Sequence, residues 1–157
     1  MNNGFVDGMR RIVYPVCIAS SVHGEVRVSM TVSSVTSVSI EPPTLLVCLN
    51  RSSSMAACAE VGRSININFL SGSHENLAKI CSSKESKRNR LDSDLWKYDK
   101  NKLPYIENSE MTAFCTVSKV VSHATHLIVV VSVNDVICSA DPRAEPLLYQ
   151  IGKYLTI

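Results

Sequence analysis

From Val26 to Ser33 apolar and polar residues alternate without a break. Val26, Val28, Met30 and Val32 fall on one face, and Arg27, Ser29, Thr31 and Ser33 on the other. A period of two specifies a half-buried β-strand. The apolar run from Val16 to Ser21 predicts the strand before it, with His23-Gly24 as the tight turn between them. Val35 to Ile40 continues extended, and Glu41-Pro42-Pro43 reads as a rigid turn, because proline has no amide to give a central ladder. Leu45 to Leu49 is apolar at every position, which predicts a strand covered on both faces. Further on, Ile65, Ile67 and Phe69 alternate with Asn66 and Asn68. Met111 to Val121 and Leu127 to Ile137 are long and β-branched, and predict a hairpin that turns around Ser122 to Thr125. Leu147 to Tyr149 and Tyr154 to Ile157 read as short closing strands.

Helical signals are fewer. Phe5, Met9 and Ile12 share one face of a short helix from Asn2 to about Val13. Ser54 reads as the N-cap of a helix from Met55 to Val61 that stops at Gly62. Ser73 reads as the cap of a second, from His74 to about Cys81, with Glu75 in its first turn. Ser82 to Asn108 is polar, charged and irregular. Strands and helices do not alternate regularly, which argues against a doubly wound parallel sheet. The expected fold is mainly β, an antiparallel barrel with short helical insertions, in one domain over residues 1–157.

Composition narrows the function classes. The chain has 157 residues, 45% hydrophobic and 19% charged, with net charge +2. That charge is too small to argue for nucleic acid or a membrane surface. No apolar run approaches the ~18 residues that cross a bilayer. Ile12 to Ala19, broken by Pro15, is a poor secretory signal. The six cysteines form no CxxC pair and sit mostly in apolar runs, so they read as core residues in a reducing cytoplasm, and no metal site is expected. GxGxxG, GxxxxGK[ST] and GxSxG are all absent.

Four stretches carry candidate chemistry. Ser52, Ser53 and Ser54 precede a predicted helix, so they either cap it or, with its unpaired amides, form an anion site suited to phosphate. Thr31, Ser33 and Ser34 are small enough to let a flat ligand approach the backbone. "KESKRNR", Lys84 to Arg90, is either a solvated surface run or a segment that closes over a phosphate through Lys87 or Arg88. His123 and His126 flank the predicted hairpin turn, where one either faces a pocket or lies on the surface.

The order of these motifs carries a resemblance. "MTVSSVTSVSIEPPTLLVCLNRSSSM" is similar to the pattern T-A-S-S-x-x-S-V-S-x-x-P-P-L-x-x-V-C-x-N of the flavin reductase family, whose members have the FMN-binding split-barrel fold. "GRSININFLSGSHENLAKICSS", "ATHLIVVVSVNDV", "PLLYQIGKYLTI" and the opening "FVDGMRRIVYPVCIASS" resemble its other blocks in the right order. The resemblance implies a small reductase that uses NADH or NADPH to reduce FAD or FMN for a separate oxygenase, and that works as a homodimer. It places Met30, Thr31, Val32, Ser33 and Ser34 along the isoalloxazine ring, and Cys48, Leu49 and Asn50 beside ring and ribityl chain. Ser53, Ser54, Lys87 and Arg88 would meet the phosphate, His126 would lie near the nicotinamide, and Tyr154 near the flavin edge. Val32 stands where the family pattern has alanine, and Ala124-Thr125 where Gly-Asp is commoner. The alternatives are a flavin-bound oxidase related to pyridoxamine phosphate oxidases, or a non-enzymatic flavin-binding protein of the same fold.

Overall fold

A computed structural model describes residues 3–83, 90–141 and 145–157. Twelve strands run in the order β1 (Tyr14–Pro15), β2 (Cys17–His23), β3 (Val26–Val32), β4 (Val35–Ile40), β5 (Pro43–Asn50), β6 (Ser64–Phe69), β7 (Trp96–Tyr98), β8 (Pro104–Ile106), β9 (Met111–His123), β10 (His126–Cys138), β11 (Leu147–Gln150) and β12 (Lys153–Thr156). Among the described residues two α-helices, α1 (Asn3–Arg10) and α2 (Glu75–Ser82), accompany these strands. Seven strands form one antiparallel sheet in the order β3-β2-β6-β9-β10-β5-β4. Its two edges, β3 and β4, are consecutive in the chain and joined only by Ser33 and Ser34. So short a link between opposite edges requires the sheet to roll until the edges meet, which makes a split barrel. Ser34 extends the β4–β5 ladder by one pair: the Cys48 amide donates to the Ser34 carbonyl at 3.2 Å and the Ser34 hydroxyl to the Cys48 carbonyl at 2.9 Å.

Alternation fills the barrel. Cys17, Ala19, Val32, Val47, Leu49, Ile65, Ile67, Cys115, Val129 and Val131 form the inner core. Burial pushes the Cys17 and Cys115 thiols up to about 12, as expected of thiols that only pack. A second core lies outside the sheet, where Leu77, Ala78 and Cys81 of α2 meet Ile18, Leu70, Trp96, Ile106 and Leu147.

Several sequence expectations need correction. The helix expected from Met55 to Val61 is a 3-10 helix, Ser54–Cys58, and its cap is Ser53, whose Oγ accepts from the Ala56 amide at 3.2 Å. The helix expected from His74 is a 3-10 turn, Gly72–His74, followed by α2; Ser71 and His74 close its capping box, not Ser73. α1 ends at Arg10 and buries none of its residues. β5 is buried at Val47 and Leu49 but only half-buried at Leu46 and Cys48, so one face is open rather than both covered. The "irregular" stretch contains the β7–β8 hairpin. The polar face of β3 is covered in part: Ser29 is 2% exposed beneath α2 and Thr31 is half-buried, while Arg27 stays exposed. The β9–β10 hairpin turns more tightly than expected, through Ala124 and Thr125 alone, with Ala124 at φ 47°.

His74 yields a prediction. Burial lowers its pKa below the ordinary 6.5, against hydrogen bonds with the Glu107 and Ser71 backbone that raise it. The native state therefore holds the imidazole neutral, while the unfolded chain takes a proton near 6.5. Stability is full above that value and falls as pH drops through it toward the native pKa. Urea denaturation between pH 7.5 and 5 is expected to show this loss, and His74→Gln is expected to flatten that part of the profile.

Candidate functional site

A cleft of about 490 Å³ opens at the seam of the barrel. Met30 and Thr31 line it from β3, Asn50 from the end of β5, Ser52 to Ser54 from the loop beyond, and Cys81, Ser82 and Arg90 from the end of α2 and the segment after it. α2 is seated on β3 by the Thr31 hydroxyl, which donates to the Ala78 carbonyl at 2.6 Å, and by the 3.6 Å contact of Ser29 Oγ with Cys81 Sγ. The Cys81 thiol is pushed up by burial, partly offset by the Ser29 bond and the Arg90 charge.

The serine loop is shaped by Asn50. Its Oδ1 accepts from the Ser52 amide at 2.9 Å and the Ser52 hydroxyl at 2.8 Å, an Asx turn. The Ser53 hydroxyl donates to the Asn50 carbonyl at 2.7 Å while capping Ala56, so it is committed within the chain. The Ser54 hydroxyl has no partner among the described residues and remains available to a ligand.

Arg90 is the strongest feature of the cleft. It is only 8% exposed. Nη1 donates to the Ser29 carbonyl at 2.8 Å and Nη2 to the Ser83 carbonyl, while its own carbonyl accepts from Trp96 Nε1 at 2.8 Å. Nε is buried with no hydrogen-bond partner. Among the described residues no carboxylate pairs with it. Buried charges are ordinarily paired, because an uncompensated ion costs several kcal/mol. A buried guanidinium with an orphan N–H near the uncommitted Ser54 hydroxyl therefore fits an anionic, phosphate-bearing ligand. Sequence reasoning chose Lys87 and Arg88 from the same basic run; both lie outside the described residues. The usable signal was adjacency: Arg90 precedes Leu91, which packs against the second core.

The other expected residues divide by orientation. Val32 and Leu49 send their side chains into the core, so only their backbone can face a ligand; the bulk of Val32 does not crowd the cleft. Ser33 and Ser34 form the link between the barrel edges, and Cys48 lies half-buried opposite them. His126 is register-paired with Asn50, which brings it to the rim. The turn before it is held by Arg51, whose amide donates to the Thr125 carbonyl at 3.0 Å, and Thr125 Oγ1 lies 2.9 Å from His126 Nδ1. Tyr154 packs against the second core outside the cleft lining, its ring edge-on to Tyr149 with Lys79 Nζ 5.7 Å from its centroid. Sequence reasoning missed Arg90, Ser82 and Cys81, none of which carries a local motif.

Known proteins share this architecture. FMN reductase (NADH) RutF of Enterobacter cloacae is 31% identical over 139 residues, covering 88% of this chain and 85% of that protein. BorF, the flavin reductase component of a bacterial two-component tryptophan halogenase, has the same fold, with a TM-score of 0.87 at 20% identity over 100% of this chain and 98% of that one. So does the NADH:FAD oxidoreductase of Streptomyces globisporus, solved with NAD and FAD fragments, with a TM-score of 0.87 at 19% identity over 99% and 93% of the two chains. Residues 9–157 match the flavin reductase like domain, and with the RutF similarity this shows that the chain belongs to the flavin reductase family.

Proposed function

We propose that this protein is an NAD(P)H:flavin oxidoreductase that transfers hydride from NADH or NADPH to FAD or FMN and releases reduced flavin to a separate oxygenase. The observation that carries this reading is Arg90, a buried cation with an unpartnered Nε and no carboxylate partner among the described residues, at a cleft bordered by residues expected to meet a flavin. RutF, named as an NADH-dependent FMN reductase, and BorF, named as the reductase of a two-component system, support the reaction and the kind of partner. The flavin, when bound, supplies the hydride-accepting ring. The chain binds and orients. Met30 to Ser34 and Cys48 to Asn50 are the residues proposed to meet the ring, of which Met30, Thr31 and Asn50 line the cleft, and Ser54 and Arg90, in the same lining, are proposed to meet the phosphate. No side chain has to move a proton, so position governs the rate.

His126 is the residue proposed to hold the nicotinamide. His126→Ala is expected to lower kcat/KM for NADH roughly tenfold to a hundredfold with flavin affinity kept; unchanged NADH kinetics would remove that role. The homodimer belongs to the same proposal. Val38 and Ile40 of the edge strand β4 are 54% and 90% exposed, apolar positions that a second copy would cover. Six free thiols suit a reducing cytoplasm, and no helix among the described residues is long and apolar enough to cross a membrane.

The decisive assay follows absorbance of the nicotinamide band in a matrix of FAD or FMN with NADH or NADPH. Flavin-dependent loss of at least one nicotinamide is expected. No flavin-dependent loss in any combination sinks the reductase and leaves direct oxidation or flavin storage.

A further inference from the structure

We propose that Thr125 is a positioning residue for the hydride donor: its hydroxyl aims the His126 imidazole, so that Nε2 is presented to the carboxamide of the nicotinamide. The inference rests on the reading of His126 as the residue that holds the nicotinamide, and adds to it how an exposed ring is kept in one orientation.

The backbone of His126 is fixed on both sides. It opens β10, register-paired with His123 of β9 and with Asn50 of β5. Its side chain is exposed, and an exposed imidazole is otherwise free to choose among χ1 wells and to turn about χ2. Among the described residues one polar contact limits it, the 2.9 Å approach of Thr125 Oγ1 to Nδ1. Nε2 has no partner among the described residues.

Thr125 is itself held. The hairpin turns through Ala124 and Thr125 alone, with Ala124 at φ 47°, a region that an L side chain enters at a cost. Arg51, the residue after β5, clamps this turn. Its amide donates to the Thr125 carbonyl at 3.0 Å and its Nη1 to the Ala124 carbonyl at 3.4 Å. A β-branched side chain is stiff about χ1, so a Thr125 backbone pinned by Arg51 leaves the hydroxyl few directions. Arg51 directly precedes Ser52 to Ser54, which line the cleft, so the turn that carries His126 is tied to the cleft wall.

Threonine also suits the chemistry. A hydroxyl can donate to Nδ1 or accept from it, so the neutral ring can present Nε2 as a donor or as an acceptor. Aspartate, commoner at this place in the family pattern, only accepts when ionised; it would keep the proton on Nδ1 and leave Nε2 of the neutral ring an acceptor. A carboxamide offers both a carbonyl and an amino group, and the threonine–histidine pair can match either.

The test is steady-state kinetics of the full chain with saturating flavin and varied nicotinamide, beside fluorescence titration with flavin alone. Thr125→Val keeps the β-branched shape and removes the hydroxyl. It is expected to lower kcat/KM for the nicotinamide about threefold to tenfold through KM, the worth of one hydrogen bond, with flavin affinity within about twofold of wild type. Thr125→Ser restores the hydroxyl and is expected to bring kcat/KM back to within about twofold of wild type. In the His126→Ala background Thr125→Val is expected to change nothing further, because a hydroxyl that acts through the imidazole has nothing left to aim. Unchanged kcat/KM in Thr125→Val, a Thr125→Ser as poor as Thr125→Val, or a further loss in the double variant overturns the positioning role and leaves His126 and the reductase reading standing. So does an equal loss of flavin affinity in Thr125→Val, which would make Thr125 a brace of the serine loop. Unchanged kinetics in His126→Ala removes the nicotinamide role of His126 and this inference with it.

Discussion

Arg90→Gln is expected to weaken binding of either flavin by about tenfold to a hundredfold, the equivalent of losing one charge-assisted contact. The glutamine keeps some length and polarity, so the loss isolates the charge. Arg90 also braces the protein, since its two Nη atoms hold the carbonyls of Ser29 and Ser83. Orphaning one of these carbonyls costs about 1–3 kcal/mol, so the unliganded variant is expected to melt earlier as well. The two effects separate on addition of flavin. A ligand that binds only the native state stabilises it by RT ln(1 + [L]/Kd), so the gain in melting temperature at a fixed concentration falls as Kd rises. Wild type is expected to gain on adding flavin and Arg90→Gln to gain little at the same concentration. Arg90→Lys is expected to resemble glutamine more than wild type, because one ammonium cannot span both carbonyls and still face a phosphate. Unchanged flavin affinity in both variants would mean that the phosphate is held elsewhere.

Asn68→Leu is expected to produce the largest loss of stability, about 3–5 kcal/mol. Asn68 is fully buried. Nδ2 donates to the Ile18 carbonyl at 2.8 Å and lies 3.2 Å from Ser20 Oγ, and Oδ1 accepts from the Ile106 amide at 2.9 Å and the Thr112 hydroxyl at 3.1 Å. One amide thus ties β2, β8 and β9 to β6. Leucine has nearly the same volume but satisfies none of these groups, and each buried group left unpaired retains its desolvation penalty. The damage should reach the cleft. Asn68 secures β8, β8 pairs with β7, and Trp96 of β7 hydrogen-bonds the Arg90 carbonyl. Trp96 is the chain's single tryptophan, so its emission reports loosening of this hairpin during urea denaturation. A loss below about 1 kcal/mol would show that the network orders the hairpin without stabilising it.

Asn66 and Asn68 also mark the limit of sequence reading. Their alternation with Ile65, Ile67 and Phe69 made β6 readable, and the isoleucines do face the inner core. Burial of the asparagines was not readable, because the cover is β8, forty residues away, with its Pro104 carbonyl accepting from Asn66 Nδ2 at 3.1 Å and Ser20 Oγ at 2.6 Å. The same holds for β3. Its period of two was plain, but α2 lies over Ser29 and Thr31, so the polar face became a wall of the cleft. Local rules also misplaced both caps by one or two residues: Ser53 and Ser71 serve where Ser54 and Ser73 were expected, since runs of serine give no signal of which hydroxyl reaches back. The ribbon from Met30 to Ser34 and from Cys48 to Ser54 was named through resemblance and not through periodicity, and of it Met30, Thr31, Asn50 and Ser52 to Ser54 line the cleft. Arg90 was not, because a basic run looks like solvated surface until the fold shows which member is buried.

The most direct measurement is a crystal structure of the protein grown with excess FAD or FMN. The expected result is a flavin at the barrel seam, its ring beside Met30 to Ser34 and its phosphate within hydrogen-bonding distance of Arg90 Nε and the Ser54 hydroxyl. A seam closed by the protein's own side chains, with flavin absent or bound on another surface, would contradict it.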